Sequence, residues 1–127
     1  MRCRGIRGAT TVPTDTKEDI LAAAKELLQE MVQANGVQEE DVACILFTTT
    51  PDLKAAFPAA AARELGLSGV PMLCGHEMNV PGSLPMCLRI LILINTEKSA
   101  AEIVHIYIRG AVELRSGSGY KEGSLEV

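Results

Sequence analysis

Leu88-Arg89-Ile90-Leu91-Ile92-Leu93-Ile94 is the densest apolar run of the chain, and a single guanidinium interrupts it. A run this short and this apolar predicts a strand, the strongest in the molecule. Alternation puts Arg89 on one face with Leu91 and Leu93. A guanidinium at that position must leave the core, pair with an acid, or face a ligand cavity, because burying it alone is very costly. The plain alternative is an arginine at a strand end that reaches solvent or a carboxylate.

Outward from that strand, residues 103–108 predict another, after a helical turn at 99–102. Residues 70–77 predict a short strand, and 79–85 a glycine and proline loop. The continuous apolar run at 42–48 predicts a strand buried on both faces. Residues 58–65 are alanine-rich and helical, with Pro58 near the first turn, where a missing N–H costs nothing. The spacing of Ile20, Ala24, Leu27, Leu28, Met31 and Val32 predicts a helix from Lys17 with one buried face. Thr16 with Asp19 forms a weak capping box at its start, and Asn35-Gly36 stops it. Residues 3–11 predict a short strand with a glycine-marked turn, and 109–115 are ambiguous. The order is β-α-β-α-β-β-β, an α/β fold with a mixed sheet and helices on one face. Residues 1–115 form a single domain, and 116–127 (Ser-Gly-Ser-Gly-Tyr-Lys-Glu-Gly-Ser-Leu-Glu-Val) are expected to be a flexible tail. Fully apolar strands in so short a chain need cover from other subunits, so a homo-oligomer is expected.

Composition bounds the function. Of 127 residues 47% are hydrophobic, enough for the core of one domain. Aromatics are 3% with no Trp, so Ile, Leu, Val and Ala must fill that core. The net charge of −4 argues against nucleic acid as a partner, because such binding needs a basic surface. No apolar run reaches the roughly 18–20 residues that span a bilayer, so no membrane partner is expected. The opening Met-Arg-Cys-Arg-Gly has no apolar segment of a secretory signal, and Cys3, Cys44, Cys74 and Cys87 form no CxxC. A cytoplasmic protein with reduced thiols is the expectation.

Several polar residues stand out. Glu77 closes the strand at 70–77, and it could meet Arg89 if the two strands are neighbours, as a plain salt bridge or as opposite walls of a polar site. Arg7 lies between Gly5 and Gly8, which let the backbone approach something closely. Arg4 and Arg7 have opposite parity, so one can serve a site while the other is a surface charge. Tyr107 shares a face with His105, and most such tyrosines are core residues with a satisfied hydroxyl. Cys74 and His76 also share a face, but zinc wants three or four ligands, and His105 is the only other histidine. No metal site and no Cys–His nucleophile is expected.

Four stretches are distinctive together: Arg4-Gly5-Ile6-Arg7-Gly8-Ala9-Thr10-Thr11-Val12, Thr50-Pro51-Asp52-Leu53, Cys87-Leu88-Arg89 and His105-Ile106-Tyr107-Ile108. On them, and in register from residue 2 to about 115, the chain resembles the monofunctional AroH-class chorismate mutases. The resemblance implies a homotrimer forming a pseudo α/β barrel, with an active site at each subunit interface. It implies the Claisen rearrangement of chorismate to prephenate, in Phe and Tyr biosynthesis, with no cofactor. Arg89 matches the arginine that donates to the breaking ether oxygen, and Glu77 the glutamate at the ring hydroxyl. Arg7 matches a carboxylate clamp, and Tyr107 a hydroxyl reaching the same carboxylate. Cys74 matches a cysteine near the ring hydroxyl, with Leu73, Gly75 and His76 supplying backbone around it. Phe57 and Leu114 match apolar walls, and Arg63 and Arg115 outer charges that steer a dianion inward. The chain departs from the family at Ala60, where some members have lysine, at Gly75-His76, and in the tail after Arg115.

Overall fold

The apolar runs become the strands of one sheet. The computed structural model describes residues 1–116, with the backbone alone at 115 and 116. The predicted tail at 116–127 therefore lies, beyond its first residue, outside the described residues. The strands are β1 (Arg2–Thr11), β2 (Val42–Thr49), β3 (Met72–His76), β4 (Cys87–Thr96) and β5 (Ile106–Tyr107). The helices are α1 (Lys17–Asn35), α2 (Ala59–Glu64) and the single turn α3 (Glu113–Ser116). The sheet order is β3-β2-β4-β1-β5. β4 runs antiparallel to both β1 and β2, while β3 and β5 are parallel to their neighbours, so the sheet is mixed.

The apolar run at 88–94 thus lies in the central strand, β4. Its alternation is strict: Leu88, Ile90, Ile92 and Ile94 are buried, while Arg89, Leu91 and Leu93 are half-buried. The buried side packs against α1 through Ile20, Ala24, Leu27, Leu28 and Met31, all fully buried. Burying one large aliphatic side chain contributes about 1.5–3 kcal/mol. α1 starts where its signals predict, with the Thr16 hydroxyl accepting from Asp19 N at 3.2 Å. The Asp19 carboxylate takes the Thr14 hydroxyl at 2.6 Å. Gly36, at φ 60°, ends the helix in the left-handed conformation, and Val37 N reaches back to Val32 O at 3.0 Å.

Three expectations are corrected. β2 is buried on the helix side alone: Ile45, Phe47 and Thr49 are buried, whereas Cys44, Leu46 and Thr48 are half-buried. The helices cover one face of the sheet and leave much of the other open. Residues 3–11 hold no turn, and β1 passes straight through both glycines. Gly8 is there for space, because a Cβ at that position would fall on the Met31 sulfur and within 3.1 Å of Leu27 Cδ1. The strand expected at 103–108 shrinks to Ile106 and Tyr107. The reason is Asn35, whose side-chain amide accepts from Val104 N at 2.8 Å and donates to Val104 O at 2.9 Å. That segment spends its backbone groups on the end of α1 instead of on a ladder.

Candidate active site

Residues directly opposite across a ladder share a face. The registers therefore set Gly75, Thr48, Arg89, Ala9 and Tyr107 in one row across β3, β2, β4, β1 and β5. The next row is Leu73, Leu46, Leu91 and Arg7. Both rows lie on the face without α1 and α2. Glycine and alanine in the first row leave room beside Arg89. There the sheet carries a cavity of about 310 Å³ lined by Arg7, Thr48, Glu77, Arg89, Leu91 and Tyr107, with backbone and apolar atoms of Gly8, Leu46 and Ile90.

Glu77 enters this cavity from just beyond β3. Its backbone N–H donates to Thr49 O at 2.8 Å, which extends the ladder by one bond. The Thr48 hydroxyl donates to Glu77 Oε2. Arg89 Nε stands 3.8 Å from the same oxygen, within reach of its charge but too far for a hydrogen bond. Among the described residues, Arg89 Nε is the one buried side-chain nitrogen or oxygen without a hydrogen-bond partner. A buried donor left unpaired costs about 1–3 kcal/mol, more when charged, so the group is set to receive an acceptor. The Arg7 backbone N–H donates to His105 Nδ1 at 3.0 Å, joining β1 to the segment that carries Tyr107. Arg4 has the opposite parity and lies elsewhere, its Nε donating to Lys98 O at 3.2 Å. Two guanidiniums and one carboxylate leave the cavity positive, which suits an anion.

Cys87 lies two residues before Arg89, on the same face of β4, and packs with Ala9 and Ala111. Burial pushes its thiol up from the ordinary value, and the Arg89 charge offsets this only in part. It stays a protonated thiol at neutral pH. No group of three or more His, Cys, Asp or Glu side chains is arranged to hold a metal among the described residues.

The other expected residues lie apart from this cavity. Phe57, Cys74, Gly75 and His76 border a second hollow of about 350 Å³, together with Thr49 and the 53–58 loop. Cys74 is opposite Phe47, on the helix side of β3, whereas Leu73 faces the open side and is 67% exposed. His76 Nδ1 lies 3.1 Å from the Thr49 hydroxyl. The Asp15 carboxylate holds the loop by accepting from Lys54 N at 2.8 Å and Ala55 N at 2.9 Å. Phe57 projects from it, 73% exposed. Leu114 packs on the cluster formed by Ala9, Cys87 and Ala111. Arg63 is exposed on α2. The side chain of Arg115 is outside the described part. Sequence reasoning overlooked Thr48 and Leu46, which the register of β2 against β4 puts on the face of Arg89.

A family model described as chorismate mutase type I matches residues 3–118. The chain is 51% identical over 113 residues to the chorismate mutase AroH of Thermus thermophilus, covering 88% of this chain and 93% of that one. It is 46% identical over 116 residues to the chorismate mutase AroH of Bacillus subtilis, covering 91% of each. Its structure is similar to a chorismate mutase from Clostridium thermocellum, with a TM-score of 0.86 at 46% identity over 87% of this chain and 99% of the other.

Proposed function

The chain belongs to the type I chorismate mutase family and is an isomerase acting on chorismate, and on that premise we propose that the rearrangement to prephenate takes place in the cavity of Arg89 and Glu77. The reaction is unimolecular. The protein's task is to hold the flexible enolpyruvyl ether in its compact reactive conformer and to stabilise charge as the C–O bond breaks. The ether oxygen gains negative charge and the ring gains positive charge. In this reading Arg89 donates to that oxygen and to a carboxylate. Glu77 accepts from the ring hydroxyl and faces the developing positive charge. Arg7, whose forked guanidinium suits a carboxylate, and the Tyr107 hydroxyl hold the side-chain carboxylate. An interaction that strengthens as the bond breaks lowers the barrier, whereas one equal in both states does not. The observation that carries the reading is the buried Arg89 Nε, beside the Glu77 carboxylate but without a hydrogen bond. No cofactor enters it.

We further propose a homotrimer, with each site completed across a subunit boundary. The half-buried Leu46, Leu91 and Leu93, with exposed Leu73 on the same face, support this, since such a face wants cover. So does the division of the expected residues between two hollows. In that assembly the Arg89 cavity of one subunit meets Phe57, Cys74 and Arg63 of the next. Four free cysteines support a cytoplasmic location.

The assay is loss of chorismate absorbance with purified protein alone. Arg89→Ala should lower kcat by ~10²–10³-fold, about 3–4 kcal/mol, as for one lost oxyanion donor. A folded Arg89→Ala protein with near-normal kcat would refute the assigned role.

A further inference from the structure

We propose that Thr48 is a positioning residue for the rearrangement, acting through Glu77 by holding its carboxylate away from Arg89. The inference deepens the assignment of Glu77 above and rests on it. Thr48 sits on β2 directly opposite Arg89 on β4 and Gly75 on β3, so its side chain rises between the two charged groups. Its single hydroxyl proton goes to Glu77 Oε2, because an ionised carboxylate can only accept.

The 3.8 Å gap between Glu77 Oε2 and Arg89 Nε gives the contact its consequence. A carboxylate on a flexible side chain, partly exposed and facing a guanidinium, tends to close into a bidentate pair. Closing here would consume the Arg89 N–H that the ether oxygen needs. Glu77 is anchored at its backbone by Thr49 O, but several side-chain torsions separate that anchor from the carboxylate. Threonine is β-branched and stiff at χ1, and on a central sheet strand its hydroxyl direction is set by the backbone. It is thus a rigid post that holds Glu77 in place while leaving Arg89 Nε open. Gly75 beside it has no side chain to compete for the space, and a Cβ there would meet nothing within 4 Å.

The test compares Thr48→Val, which keeps shape and loses the hydroxyl, with Thr48→Ser, which keeps the hydroxyl. Thr48→Val should lower kcat roughly ten- to hundredfold, as for a lost hydrogen bond to a charged group, with a smaller change in KM. Thr48→Ser should restore most of kcat. Thr48→Ala, with thermal melting of each variant, gives the same readout if the valine protein does not fold. In a Glu77→Ala background, Thr48→Val should cost little more. Equal losses in both backgrounds would mean that Thr48 acts by packing, and would overturn the proposal. Normal kcat in folded Thr48→Val or Thr48→Ala, with Glu77→Ala strongly impaired, would overturn it and leave the Glu77 reading standing. Normal kcat in Glu77→Ala would remove that reading, and the proposal with it.

Discussion

Arg89 owes its position to strand parity: its neighbours Leu88 and Ile90 point into the core, so its own side chain cannot. That much is legible in a seven-residue window. The partner is not. Which acid meets Arg89 depends on the register of β2 against both β3 and β4, and no local signal carries that. Thr48 is invisible for a related reason, since a threonine at the end of an apolar run is commonplace until its cross-strand neighbour is known. Two predictions belong at this scale. Arg89→Lys keeps the charge but loses the planar fork, and should still cut kcat at least tenfold without a large change in melting temperature. Gly8→Ala should destabilise the fold by about 1–3 kcal/mol in chemical denaturation, because its methyl group meets Met31 and Leu27 across the packed face.

Among the elements, α1 and β4 follow from their periodicity, and both of their faces are assigned correctly by it. β5 does not, because a side chain outbids the ladder. Residues 103–108 look like a strand by composition, yet Asn35, buried at the end of α1, takes both backbone groups of Val104. An asparagine before a helix-stopping glycine reads from sequence as a cap and nothing more. Asn35→Ala should cost about 1–3 kcal/mol of stability, since it removes two part-buried hydrogen bonds to the Val104 backbone, and denaturant unfolding measures it. It should also raise KM, because the freed segment leads to Tyr107. The loop after β2 has its own acid dependence. The Thr50 hydroxyl holds the Asp52 carboxyl below the usual carboxylate range, against a small desolvation cost and with help from Met86 N–H. A carboxyl depressed by folding adds stability above its unfolded pKa of about 3.9, and loses it as pH falls through the folded value. The melting-temperature difference between the parent and Asp52→Asn should therefore be largest above about pH 5 and shrink on acidification.

Among the described residues, α1 and α2 cover one side of the sheet and leave much of the other open. The expectation that β2 would be buried on both faces was correct about its composition and wrong about the single chain, where Leu46 is half-buried. An apolar strand records that a surface is covered and leaves the identity of the cover unstated. Leu93 lies on that face beside Gly5 and Cys44, away from the Arg89 cavity. On the proposed trimer, Leu93→Lys should shift sedimentation to monomer and abolish turnover while leaving every proposed catalytic side chain intact. If sites are shared between subunits, Arg89→Ala and Phe57→Glu proteins, each nearly inactive, should regain measurable activity when refolded together. Finally, among the described residues β1 pairs with β4 and β5 alone, so that Ile6 finds Ile92 and Ala9 finds Tyr107. On the ribosome β1 is thus made well before either of its partners. At roughly 5–20 residues per second, its edges stay open for several seconds of synthesis. Arg2, Arg4 and Arg7 on that strand are then charges that discourage a waiting nascent segment from pairing with its neighbours on a polysome.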